Sequence, residues 1–309
     1  MIGIDVGGAN LKIAHKYGVE IYYCPLWQDS SLRELLKPYS GEKAFVVMSG
    51  ELADAFTDKT EGIGYIVDCV KEAIPDSLFY GLDAEFHDRA TPLLAAANWL
   101  ASADLLRERF PGALFVDMGS TTTDIIPLNQ FSELKGLTDL KRLQKGYLLY
   151  TGLLRTTIPA VIASVRVNNA DTPVSSEHFA TTADAHLVAG NIKEEDYTTP
   201  TADGKSTSVE LSMRRLSRVV CADLEEIGEK GAGAIADNVV MNQIHMIRNT
   251  VKRVAERDRT TEILACGIGA PLLARELGAR NLREELSEYA DAMPAYAVME
   301  VGSRTQGCH

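Results

Sequence analysis

The segments IGIDVGGANLKIA and LFVDMGSTTTDII align on Asp5 and Asp117. Both run apolar residues into an Asp, then a Gly and a small residue, then polar and apolar positions again. Each reads as a strand, a tight glycine turn and a second strand. The two copies lie about 112 residues apart, the size of one domain, so the chain reads as a duplication. At 309 residues it is too long for one ordinary core. Two similar domains, each presenting an Asp and a Gly turn to the other, are the arrangement that fits. The expected limits are residues 1–112, completed by a C-terminal helix from 287 to 309, and residues 113–286.

Within that frame the chain reads as alternating strands and helices. Three short strands open it as an antiparallel meander, and SSLRELLKPY follows as a helix with Ser30 or Ser31 as N-cap. KAFVVMSG is a buried strand, and Phe56 to Ile74 is a helix stopped by Pro75. A strand near LFYGLDA and a helix ended by Pro111-Gly112 complete the first half. In the second half the clearest helix runs from Gly231 to Arg257, where Val240, Ile244, Ile247, Val251 and Val254 recur at helical spacing. EILACGIGAPLLAREL then gives strand, Gly-x-Gly turn and helix. Residues 193–208 are polar and turn-rich, a surface excursion.

The chain carries a formal charge of -12, which disfavours broad contact with nucleic acid or an anionic membrane. No stretch approaches the roughly 20 uncharged apolar residues of a membrane span. The first residues are already strand, without a charged leader, so a cytoplasmic location is expected. Five scattered cysteines, Cys24, Cys69, Cys221, Cys266 and Cys308, form no zinc-type pairs and read as reduced thiols. Cys69 and Cys221 fall in helical patterns.

The first turn, Asp5 to Lys12, has the chemistry of an anion nest. Gly7 and Gly8 let backbone amides approach phosphate oxygens and permit positive φ, while Asn10 and Lys12 add a polar group and a cation. Asp5, at a strand end, offers a hard oxygen ligand to Mg2+. The second turn offers Asp117, Gly119, Ser120, Thr121 and Thr122, whose hydroxyls and amides also suit an anion. Each turn alone could be a plain hairpin; two of them favour a phosphate site. Gly267 and Gly269 make a third glycine element, of the kind that also marks an ordinary strand-to-helix turn. Glu51, after an apolar strand, and Asp184, polar within HFATTADAHLVAG, are candidate catalytic acids or bases. A helix-terminal role is the plain alternative for Glu51. Arg155 is a candidate for a substrate anion, with a salt bridge as its alternative. His178 and His186 have no spacing that calls for a metal, and Asp223 reads as a helix cap.

In order and spacing the three glycine elements resemble the phosphate-1, phosphate-2 and adenosine segments of the superfamily of sugar kinases, heat-shock ATPases and actin. That resemblance implies an α/β fold of two ribonuclease-H-like domains around a ligand cleft. MSGELADAFTDKTEG, AAANWLASA, VDMGSTTTDIIP, LLYTGLLRTTIP and HFATTADAHLV resemble a small branch of the hydantoinase A/oxoprolinase group, associated with tetrahydromethanopterin-linked one-carbon metabolism. The resemblance implies the activity of that branch, an aryl-ether synthesis in methanofuran biosynthesis. There a furanylmethyl diphosphate is joined to the phenol of γ-glutamyltyramine and pyrophosphate leaves. On this reading the two turns hold the diphosphate, Asp5 and Asp117 hold Mg2+, and Glu51 or Asp184 is the base. The partners are small molecules, with a homodimer left open. An ATP-dependent kinase or hydantoinase-like enzyme, binding ATP around Gly267 and Gly269, is the first alternative; a nucleotide-binding sensor without turnover is the second.

Overall fold

The computed structural model describes residues 1–28 and 31–306. In the first half, β1 (Ile2–Val6), β2 (Asn10–His15) and β3 (Gly18–Tyr23) form the meander. Helix α1 (Leu32–Leu36) leads to β4 (Ala44–Met48), and α2 (Lys59–Ala73) leads to β5 (Ser77–Tyr80) and β6 (Phe86–His87). Ser31 is the N-cap residue of α1, without a side-chain capping bond; Ser30 lies outside the described residues. Helix α2 starts three residues later than its apolar pattern suggests. Asp58 fixes the start by accepting from the Glu61 amide at 2.9 Å, and Pro75 bars extension beyond Ile74.

Helix α3 (Asn98–Arg109) connects to β7 (Ala113–Met118) and β8 (Thr123–Pro127). Short helices α4 (Phe131–Leu134) and α5 (Asp139–Lys145) precede β9 (Leu148–Leu149). An inserted lobe follows: the hairpin β10 (Ser164–Val167) and β11 (Ala170–Pro173), then α6 (Thr182–Val188) and α7 (Val209–Arg218). Helix α8 (Leu224–Asp258) is capped by Asp223 and broken at Gly228, whose φ of 68° and ψ of 171° are not helical. The chain closes with β12 (Glu262–Cys266), α9 (Ala270–Leu277), β13 (Arg280–Asn281), α10 (Arg283–Leu286) and α11 (Met293–Gln306). A 3-10 turn over Ser287–Ala292 takes the place of the start of the expected terminal helix. Cys221 is not helical: it sits past α7 at φ 58°. Cys308 lies outside the described residues.

The duplication is visible in the topology. The first sheet runs β3-β2-β1-β4-β5-β6 and the second runs β9-β8-β7-β12-β13. In both, the first three strands pair antiparallel and the fourth and fifth join parallel. This shared order is the ribonuclease-H-like pattern, and the α/β fold of two such units is the one the chain adopts. β1 and β4 are buried at every position, as expected for strands covered on both faces.

Alternation along β4 shows how the layers are built. Phe45 and Val47 join a large core with α3, α11, β7 and β12, while Val46 and Met48 join a core with α1 and α2. Helix α11 lies directly on the first sheet. A Cβ on Gly3 would fall 1.9 Å from the Ala295 carbonyl oxygen, and one on Gly302 would fall 2.3 Å from the Phe45 ring. These glycines set the distance between helix and sheet. The inserted lobe has its own apolar cluster around Ile158, Leu216 and Val239. Among the described residues no helix is long and apolar enough to cross a membrane.

Candidate functional site

The two glycine turns are built alike. The Gly7 amide donates to the Asn10 carbonyl at 3.0 Å, and the Gly119 amide donates to the Thr122 carbonyl at 3.0 Å. Each turn thus closes over two residues, Gly8 and Ala9 in the first, Ser120 and Thr121 in the second. The amides of those four residues donate to no carbonyl of the described residues, and all four are half-buried. Backbone amides left free of carbonyl partners in a turn are what an anion nest requires. None of Gly7, Gly8 or Gly119 has positive φ, contrary to one reason given for glycine there. At Gly7 the cause is close approach, since a Cβ would lie 3.0 Å from the Asn10 carbonyl oxygen; at Gly8 a Cβ would meet nothing within 4 Å.

Strand register places the charged groups. Asp5 is the cross-strand partner of Lys12, and Asp117 is the partner of Asp124, so the second copy has an acid where the first has a lysine. Asp5 is 5% exposed, and its Oδ1 is buried without a hydrogen-bond partner. Burial pushes the Asp5 carboxyl up to about 6; Lys12 pulls against this and Asp124 adds to it. Burial likewise pushes Asp117 up to about 7, reinforced by Asp124 and Asp5 and opposed by Lys12. The Asp5 carboxylate thus raises Asp117 from the other unit. Asp124 is also raised by burial, with Arg142 opposing it through an ion pair; Arg142 donates to Asp139 at 2.9 Å and lies over the Trp99 ring.

Several tertiary ties hold this geometry. Lys12 Nζ donates to the Asp291 carbonyl at 2.9 Å, which pins the first turn to the C-terminal segment. The amides of Ser49 and Gly50 both donate to the Val6 carbonyl, which places Glu51 beside the first turn. Glu51 is 1% exposed, with Oε2 lacking a hydrogen-bond partner and Lys59 Nζ 3.8 Å from Oε1. Burial raises its carboxyl above the ordinary range; a backbone amide and then Lys59 lower it in part, and Asp139 of the second unit raises it. The second turn is braced by residues 151–155. Leu153 and Leu154 donate to the carbonyls of Gly119 and Ser120, and Gln243 Nε2 donates at 2.8 Å to both Thr151 Oγ1 and the Gly152 carbonyl. His186 bonds Gln243 at 2.7 Å, and burial lowers it to about 4, so it is a neutral packed histidine.

Asp184 does not join the cleft. It is fully buried in the inserted lobe, where Oδ2 accepts from the Thr181 amide at 2.9 Å and Oδ1 accepts from Arg215 Nε at 2.8 Å. A carboxylate with both oxygens engaged this way caps α6 and holds a buried arginine; it is not placed to take a proton. Asp184→Asn should therefore cost about 3 kcal/mol in urea unfolding, because it removes the fully buried one of the two carboxylates, Asp184 and Asp203, paired with the buried Arg215 guanidinium. The kcat per folded molecule should stay within about twofold, as expected away from the reacting groups. A collapse of kcat at unchanged stability would return Asp184 to the list of bases.

Gly267 and Gly269 have a packing explanation. Gly267 has φ 76°, and a Cβ there would fall 2.2 Å from Asp117 Oδ1; one on Gly269 would fall 2.5 Å from Met118 Sδ. The Gly-x-Gly turn thus abuts the end of β7 and the Asp117 carboxylate. Arg155 Cζ lies 5.2 Å from the centroid of the Trp27 ring, a partner that reading the motifs missed. The only sequence signal was a large aromatic directly after the third strand.

The hydantoinase/oxoprolinase family matches residues 43–299 of the chain. A protein of Methanocaldococcus jannaschii named (4-{4-[2-(gamma-L-glutamylamino)ethyl]phenoxymethyl}furan-2-yl)methanamine synthase is 34% identical, over 97% of this chain and 97% of its own length. A protein of the same name from Methanococcus vannielii is 39% identical over 52% of this chain and 72% of its own length. A ROK family glucokinase from Streptomyces griseus overlays 96% of this chain and 97% of its own at a TM-score of 0.45 and 11% identity, too distant to argue from. The family match over most of the chain and the near full-length relative agree: the chain belongs to the hydantoinase/oxoprolinase family.

Proposed function

We propose that this enzyme is an aryl-ether synthase of methanofuran biosynthesis. It couples a (5-(aminomethyl)furan-3-yl)methyl diphosphate to the phenol of γ-glutamyltyramine and releases pyrophosphate. The observation that carries the reading is the pair of matching turns, one from each unit, whose amides donate to no carbonyl of the described residues, with Asp5 raising Asp117 across the units. The name of the near full-length relative gives the reading its substrate class.

In this reaction the furanylmethyl C–O bond breaks and its electron pair leaves with pyrophosphate. The phenol oxygen forms the new C–O bond, and its proton passes to Glu51. A phenol has an unperturbed pKa of about 10, so a carboxylate raised above its usual range is a better-matched base than an exposed one. Gly8, Ala9, Ser120 and Thr121 amides, with Lys12 and the Ser120, Thr121 and Thr122 hydroxyls, would hold the diphosphate; Asn10 closes the first turn through its carbonyl.

Asp5 and Asp117 are the residues that would hold Mg2+. The fit rests on the unpartnered buried Oδ1 of Asp5 and on two raised carboxyls that a cation would relieve. Among the described residues no cluster of three or more acidic, His or Cys ligands is present. One or two carboxylates plus substrate phosphate is the donor set magnesium takes. When bound, the ion neutralises charge on the leaving pyrophosphate.

The test incubates the protein with Mg2+ and either the furanylmethyl diphosphate plus γ-glutamyltyramine, or ATP. Pyrophosphate and ether appearing only with the furan pair support the reading. ATP turnover without ether favours the ATP-dependent alternative, and nucleotide binding without any product favours a sensor.

A further inference from the structure

Trp27 and Arg155 meet across the two units, each tied to a different turn. The amide of Leu26, next to Trp27, donates to the Gly8 carbonyl at 2.9 Å, and the Arg155 amide donates to the Ser120 carbonyl at 2.9 Å. Among the described residues no carboxylate, carbonyl or hydroxyl accepts from the Arg155 side chain. Neighbouring cations are engaged: Lys12 with the Asp291 carbonyl, Arg142 with Asp124 and Asp139, and Lys59 beside Glu51. Among the described residues Arg155 has only the indole face as its partner, with Cζ 5.2 Å from the ring centroid. Both residues are half-buried, where a cation–π contact is stronger than in open water.

A guanidinium is planar, delocalised and positive. So is a furanylmethyl centre once its diphosphate has begun to leave. Resting on the ether-synthase reading, we propose that Trp27 is a catalytic residue. Its indole face receives the furanylmethyl carbon as that carbon becomes positive, while Arg155 leaves the ring for the departing pyrophosphate. The C–O electron pair goes to pyrophosphate, where the Arg155 guanidinium can meet two oxygens side by side. The phenol oxygen then closes on the cation and its proton goes to Glu51. The ring interacts more strongly with the charged centre than with the neutral substrate, so its effect falls on kcat rather than KM.

The test uses the full chain with Mg2+, the furanylmethyl diphosphate and γ-glutamyltyramine, together with calorimetric binding of inorganic pyrophosphate. Trp27→Phe should lower kcat about fivefold and Trp27→Leu about 30-fold or more, with KM and pyrophosphate affinity within about twofold. Arg155→Gln should weaken pyrophosphate binding about tenfold or more, with Arg155→Lys in between. Tryptophan emission should change on adding pyrophosphate to the wild type but not to Trp27→Phe, since Trp99, the other tryptophan, is 2% exposed. Phe and Leu variants equally impaired, or changed only in KM, would overturn the proposal, because loss of packing or binding would then suffice. A wild type that binds pyrophosphate but makes no ether from the furan pair would instead remove the ether-synthase reading on which it rests.

Discussion

Asp117→Asn is expected to lower kcat on the order of 10³-fold while leaving the fold at least as stable as the wild type at neutral pH. The two effects have one origin. Burial, with Asp124 and Asp5 nearby, raises the Asp117 carboxyl to about 7 in the folded chain. A carboxyl whose folded pKa is raised favours folding while it is protonated, and that contribution is lost as pH climbs from the ordinary carboxylate value to about 7. Above that window the wild type carries a half-buried, poorly solvated charge the Asn variant lacks. The variant should therefore match the wild type near pH 4 and exceed it at pH 8 in thermal unfolding without metal. Added Mg2+ should reverse the ranking, since an ion that binds only the folded wild type stabilises it by mass action. An Asn variant that loses stability and activity together, with or without Mg2+, would make Asp117 a structural residue.

Asp117 shows why much of the candidate site's geometry could be read from the chain. The duplicated turn is local, its hydrogen bond spans only four residues, and the same composition recurs in both copies, so Asp5, Gly7, Asp117 and Gly119 announce themselves. The shared sheet order follows from that same repeat. What stayed hidden depends on distant partners. Lys12 is held by a carbonyl 279 positions away, and no spacing rule reports such a contact. Asp184 misled because a Thr and an Asp three apart at the start of an apolar run suit a capping box as well as a cleft acid, and Arg215 decides between them. The break at Gly228 explains why the apolar period is clean only after it. Cys221 sits in a left-handed turn that a run of helical propensity gives no sign of.

Glu51→Gln is the second large effect expected, a fall in kcat of about 10²- to 10³-fold with pyrophosphate binding retained. Its sharper signature is in pH. Because burial holds the Glu51 carboxyl above the ordinary range, wild-type kcat should rise with pH along an acid limb and level off once Glu51 is ionised. That limb should vanish in Glu51→Gln, which cannot titrate. Lys59, whose ammonium lowers the same carboxyl from 3.8 Å, provides an independent handle. Lys59→Met should move the acid limb to higher pH without abolishing the plateau, because removing the cation leaves the base present but harder to ionise. Both variants keep the β4 end bonded to Val6 through the amides of Ser49 and Gly50, so the first turn is undisturbed. An acid limb that survives in Glu51→Gln would assign the proton to another group, and one that ignores Lys59→Met would separate the titrating group from this pair.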